Sequence, residues 1–200
     1  PWVRIAALAL DARLAQEVGR AVDALAHARR AARRAEPHRN PALAARIASA
    51  EGMAQMYLGD RAGALDAFER ELEHARDAEA PRLEELAWHH LGMIRSNFDN
   101  DWEGALPLFE RAAALAEKVG NLEGLAYELD SMGEMASTLK RPVALEHHRR
   151  ALELRREVGS VRGEAQTLIS LGSALSRLGR AEAAVPRIEA GIGKMRVAGN

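Results

Sequence analysis

Two adjacent histidine pairs, His89-His90 and His147-His148, are the side chains best suited by type to metal or proton chemistry. Neighbours in a helix point about 100° apart, so neither pair chelates an ion from one face. Glu85 and His89 lie four residues apart and share a face. A metal centre there would still need a third ligand and an orienting outer shell, and the surrounding sequence offers no complete set. Asp130 and Glu134 share a face in the same way. Without a closed pocket or a partnered base, such carboxylates are ordinary solvated groups. The chain has no cysteine, which removes disulfides, thiolate metal sites and cysteine nucleophiles together. It also has no glycine-rich phosphate loop, nucleophile elbow or helical zinc motif. These residues predict a non-enzymatic protein with no catalytic residues, no metal and no cofactor.

Arginine carries the remaining chemistry. Only Lys118, Lys140 and Lys194 among the 28 basic residues are lysine, yet the formal net charge is −1. The charge is uneven along the chain. Between Arg20 and Arg46 there are seven arginines against Asp23 and Glu36. Between Asp66 and Glu85 there are eight acids against three arginines. Arg29, Arg30, Arg33 and Arg34 fall on one broad helix face. That face reads as a docking patch for an acidic partner or for another copy's acidic stretch. The blander reading is a solvated face, the usual fate of exposed charge. Nucleic acid is disfavoured, because the patch lacks aromatic interleaving and the chain lacks global basicity.

The elements that must position these groups are helices. Apolar residues make up 48% of the 200 residues, but aromatics only 4%. Alanine and leucine carry the apolar share, and both are strong helix formers. Sparse β-branched and aromatic residues argue against sheets. No apolar run approaches the ~20 residues of a membrane span, and no signal peptide is visible, so the expected setting is cytoplasmic. The chain begins at Pro1 without methionine, which reads as a piece of a longer protein.

Breakers interrupt the helical pattern at regular intervals. Pro41 and Pro81 read as helix starts, since proline at the first helical position sacrifices no internal hydrogen bond. Gly120 and Gly159 read as helix stops 39 residues apart, and Gly59 and Gly179 mark shorter turns. Asp99 or Asp101 is positioned to cap the helix that follows. Aligned on Ala24, Ala64, Ala105, Ala144 and Ala184, the repeat intervals are 40, 41, 39 and 40 residues. Self-similarity at that period predicts a solenoid of stacked units. The expected fold is all-α, with five antiparallel helix pairs in one array over residues 1–200. The expected helices are 3–17 with 20–35, 42–57 with 61–77, 82–97 with 102–118, 123–138 with 142–157, and 162–177 with 181–196. Pro107 and Pro186, past the first turn of their helices, should kink or delay them. Gly191 and Gly193 should fray the last one.

Glycine recurs inside a helix at Gly52, Gly92, Gly133 and Gly172, where it costs up to about 1 kcal/mol against alanine. Close approach of the paired helix explains the recurrence. Ala64, Ala105 and Ala184 do the same from the other side. Trp88, Leu91, Leu129, Met132, Leu168 and Leu171 are placed to fill the seam, with Phe68 and Phe109 locking one unit on the next. His148 takes that place in the fourth unit, where a histidine satisfied by a backbone group is expected.

The frame Trp88, Leu91, Gly92, Ala105, Phe109 and Ala112 resembles the tetratricopeptide repeat, and weaker copies extend the resemblance over essentially the whole chain. The period near 40 residues, against the usual ~34, resembles the long-helix branch that includes kinesin light chains and bacterial regulators. The resemblance implies a right-handed superhelix whose first helices line a concave groove. It places on that groove Arg46, Met53, Met56, Tyr57, His89, Met93, Ser96, Asn97, Tyr127, Asp130, Glu134 and Arg177, with Arg13 and Gln16 in the first unit. Met53, Met56 and Met93 are either an adaptable contact strip or gap-filling between helices. The lysine-asparagine carboxylate clamp of some family members is absent, which disfavours chaperone-tail binding. The resemblance implies a scaffold for a protein or peptide segment. The alternative is a regulatory, sensor or self-association array from a larger bacterial regulator.

Overall fold

The computed structural model describes residues 20–35 and 39–198, and the expected helix over 3–17, with Arg13 and Gln16, lies outside them. The described residues form α1 (Ala21–Ala35), α2 (Pro41–Tyr57), α3 (Arg61–Asp77), α4 (Pro81–Asn97), α5 (Trp102–Lys118), α6 (Leu122–Thr138), α7 (Ala144–Glu157), α8 (Val161–Arg177) and α9 (Ala181–Ala198). The first helices α2, α4, α6 and α8 begin 40, 41 and 39 residues apart. The chain divides into two compact units, ending and beginning at Asp99 and Asn100.

In the first unit α1 packs on α2, α2 on α3 and α3 on α4, and α2 also touches α4. In the second, α5 packs on α6, α6 on α7, α7 on α8 and α8 on α9, and α6 touches α8. Short side-chain caps start α2, α3, α5 and α6. Asn40, Asp60, Asp101 and Asn121 accept from the amides of Leu43, Gly63, Gly104 and Gly124 at 2.9–3.2 Å. Asp101 is therefore the cap of α5. Asp99 instead takes a two-pronged ion pair from Arg61, at 2.6 and 2.8 Å, and bracing from the start of α3 to the turn after α4 results.

The turns repeat a backbone device. After first helices the chain turns left-handed at Gly59, Asn100, Lys140 and Gly179, and after second helices at Arg39, Glu79, Gly120 and Gly159. Half of these positions lack glycine, although a left-handed residue with a Cβ is strained.

Packing relies on close approach. A Cβ on Gly52 would overlap the Phe68 ring, one on Gly133 would stand 2.7 Å from the His148 ring, and one on Gly172 2.5 Å from Ile188 Cγ1. The helical glycines thus make room for one bulky side chain of the paired helix. Phe68 and His148 are buried to 0% and 1% exposure. Burial of the apolar Phe68 ring stabilises by about 1.5–3 kcal/mol. Pro107 and Pro186 lie inside α5 and α9, whose starts at Trp102 and Ala181 are not delayed by them. The last helix runs on to Ala198, and Gly191 packs there against Ala165 and Ile169 rather than merely loosening the helix.

One carboxylate ties three helices together in the second unit. Glu164 of α8 meets Lys194 of α9 at 2.8 Å and Arg156 of α7 at 2.9 Å. Lys194 and then Arg156 hold its carboxyl below the ordinary value of 4.5. A depressed carboxylate contributes stability that is present above its unfolded pKa and is lost as pH falls through its folded one. Glu164→Gln should therefore lower the melting temperature at pH 7 and flatten its decline below pH 4.5, read by circular dichroism melts across pH. A parallel decline in both proteins would show that the clamp contributes nothing. In urea titrations, Lys140→Gly should stabilise by about 1 kcal/mol by relieving left-handed strain, and Gly159→Ala should destabilise by about 1–2 kcal/mol.

Candidate interaction faces

The first helices carry most of the residues expected to contact a partner, and the fold sorts them by exposure. In the first unit Arg46, Tyr57 and Asn97 are exposed, and Met53, Met56 and Met93 are half-buried. Tyr57 is 62% exposed at the C-terminus of α2. Met53 and Met56 pack against the Ala64, Phe68 and Ile94 cluster, so they fill the α2–α3–α4 seam more than they form an open strip. His89 and Ser96 are buried, to 4% and 2% exposure, and are not open to a partner. Their place on the inner side of α4 is crowded because neighbouring helices approach so closely. Ser96 Oγ donates to the Met93 carbonyl at 3.3 Å and to Asn97 Oδ1 at 3.2 Å, which turns it inward.

In the second unit Tyr127 is 46% exposed. Glu134 and Arg177 stand 3.8 Å apart across α6 and α8. Arg177 Nη1 also donates to Ser137 Oγ at 3.0 Å and Thr138 Oγ1 at 3.3 Å, so the guanidinium lies along α6. Asp130 does not behave as a solvated groove residue. Its Oδ1 lies 2.9 Å from His148 Nδ1 and its Oδ2 accepts from Thr167 Oγ1 at 2.5 Å. His148 is thus satisfied by a carboxylate of α6 rather than by a backbone group. The cause is geometric: the ring lies over Gly133, one turn along α6 from Asp130. Its neighbour His147 is held below the ordinary 6.5 by burial first and by His148 second, so it is neutral at pH 7.

Several polar groups lie at positions that carry little signal in the sequence. Glu71 is fully buried, and its Oε2 lies 2.8 Å from Nδ1 of buried His90, which stacks on Phe68 at 4.5 Å. Seven residues after the marker alanine, the later units carry Ala112, Ala151 and Gly191 where this one carries Glu71. That break in a small-residue series was the available signal. Glu51, buried on α2, takes Arg29 of α1 at 3.3 Å and Arg70 of α3 at 3.0 Å. Trp88 is half-buried, with the Arg76 guanidinium 5.3 Å from its ring centre and Glu84 accepting from Nε1 at 3.4 Å.

The arginines named as a docking patch, Arg29, Arg30, Arg33 and Arg34, are all exposed on α1. A cavity of about 510 Å³ opens beside them, floored by Ala44, Ile47 and Ala48 and rimmed by Arg39, Arg70 and His74. Among the described residues no three metal-ligating side chains gather, and no helix is long and apolar enough to cross a membrane.

Residues 87–123 match the tetratricopeptide repeat family. No curated protein matches the sequence. Among solved structures, BtubC (BKLC) from P. vanneervenii is similar at a TM-score of 0.77 and 21% identity, over 96% of this chain and 79% of its own. A structure of the nearly identical TPR-like repeats of a "putative kinesin light chain" from Podosopora anserina is similar at 0.75 and 14% identity, over 98% and 96%. A Rap protein complexed with Competence and Sporulation Factor is similar at 0.74 and 15% identity, over 92% of this chain and 62% of that one. Likeness at these identities concerns the fold, that of TPR-like α-solenoids of antiparallel helix pairs. The family match covers residues 87–123, and the repeated frame of helical glycine, marker alanine and bulky ring carries the same TPR-like fold through the described residues.

Proposed function

We propose that this chain is a non-catalytic interaction module that holds a protein or peptide segment on its first-helix faces. The observation that carries the reading is the placement of the two tyrosines of the chain, Tyr57 and Tyr127. Both stand exposed on first helices, at 62% and 46%. Tyrosine is a characteristic anchor of protein interfaces, because one rigid ring covers much area and its hydroxyl fixes register. The first helices also expose Arg46 and Asn97 in the first unit and Glu134 and Arg177 in the second, a polar set without a single sign. Such a set suits orientation of a mixed peptide more than recognition of a polyanion. The Rap protein in complex with Competence and Sporulation Factor lends the same fold to this reading. A cytoplasmic setting accords with the cysteine-free composition.

Immobilised chain should capture a discrete partner from an extract of its own cells. Tyr57→Ala with Tyr127→Ala should weaken that capture about tenfold or more, while far-ultraviolet circular dichroism stays unchanged. Capture that survives the double substitution at full strength would contradict the assignment of these faces.

A further inference from the structure

Two stripes of opposite charge lie side by side on the first unit, and the fold aims both at solvent. On α1 the buried residues Ala24, Ala28 and Ala31 define the packed side. Arg29, Arg30, Arg33 and Arg34 occupy the other side, all exposed. On α3 the packed side carries Ala64, Phe68, Glu71 and Ala75. Opposite them stand Asp66, Glu69, Glu73 and Asp77, all exposed and spaced to form one stripe. The stripe runs about 16 Å along the helix. Of the arginines that flank it, Arg76 pairs with Glu84, and Arg70 pairs with Glu51 and with Asp66 of the stripe itself, which leaves Glu69, Glu73 and Asp77 as its open carboxylates. The two helices flank α2: Glu51 of α2 bonds Arg29 on one side and Arg70 on the other. Both helices also line the same cavity, α1 through Ala32 and Ala35 and α3 through His74 and Asp77.

We propose that a second copy of this chain docks on this face, in a two-fold dimer where the α1 arginines of each protomer meet the α3 carboxylates of its partner. A two-fold axis in the interface, parallel to the helices and between the stripes, carries α1 of one copy over α3 of the other, twice. An axis across the helices would set arginines on arginines, and that arrangement is excluded by repulsion. The same self-complementarity argues against an unrelated acidic partner. Such a partner would satisfy the arginines while pressing its own charge against the carboxylates beside them. A copy of this chain satisfies both stripes at once. Exposed ion pairs are individually weak and screened by salt, so the dimer is weak and salt-labile.

Sedimentation equilibrium of the 200-residue chain tests this at low salt and at 1 M salt, where the Debye length falls to about 3 Å. A dimer is expected at low salt and a monomer at high salt. Reversal of one stripe, by Arg30→Glu, Arg33→Glu and Arg34→Glu or by Glu69→Arg, Glu73→Arg and Asp77→Arg, should weaken dimerisation about tenfold or more. The chain carrying both sets restores opposite charges across the two-fold and should dimerise again. Circular dichroism checks that each variant remains folded. A monomer at low salt overturns the proposal, and so does a dimer that survives both separate reversals. Folded double-set protein that stays monomeric overturns it as well.

Discussion

Helix pairs in this chain depend on one contact: a glycine in the first helix facing one bulky side chain from the second. Gly52 faces Phe68, Gly133 faces His148 and Gly172 faces Ile188. Each contact leaves no room for a methyl group, so the pair is held at a short separation. The rest follows from that separation. Alanine must supply the other buried positions, as Ala24, Ala28, Ala64, Ala67, Ala105, Ala112, Ala144 and Ala151 do at 0% exposure. A core built this way contains little volume per residue. Its stability comes from many close contacts, each worth a fraction of a kcal/mol, more than from a few large side chains.

A core of small, interchangeable residues specifies register poorly, and buried polar partners supply what alanine cannot. Glu71 with His90, and Asp130 with His148 and Thr167, join residues that are neighbours only when the correct helices meet. A slip of one turn would strand a carboxylate away from its partner, at a cost of several kcal/mol. At the surface Arg76 to Glu84 and Arg156 to Glu164 repeat one clamp two units apart, each closing the turn between a second helix and the next first helix. Their arginines are more than half exposed while the carboxylates are largely covered. The clamps reinforce the entry angle of the helix that follows.

Helix positions were legible wherever a local signal existed. Arg61–Asp77 and Trp102–Lys118 have the expected bounds because Asp60 and Asp101 cap them. α7 starts at Ala144, two residues past Pro142, because Pro142 and Val143 form a turn first. Left-handed turns were legible at Gly59 and Gly120 but not at Arg39 or Glu79, whose side chains disfavour that conformation. The frame positions Phe68, Phe109, Ala64 and Ala105 are buried, as the repeat frame predicts. How deeply other residues are buried did not follow from the frame, because burial depends on the separation of neighbouring helices. Hence His89 and Ser96, correctly placed on a first helix, proved covered, and Asp130 proved tied to a histidine that seemed destined for a backbone partner. Glu71 was missed although its position, alanine or glycine in later units, marked it as exceptional.

In the proposed reading, first helices hold a partner and second helices meet solvent or another copy. Hydrogen exchange by mass spectrometry, on the chain with and without its captured partner, tests that division most directly. Slowed exchange should concentrate in Pro41–Tyr57 and Leu122–Thr138, which carry the exposed tyrosines. Protection confined to Arg61–Asp77 and Ala144–Glu157 would contradict it, and would move the binding face to the second helices.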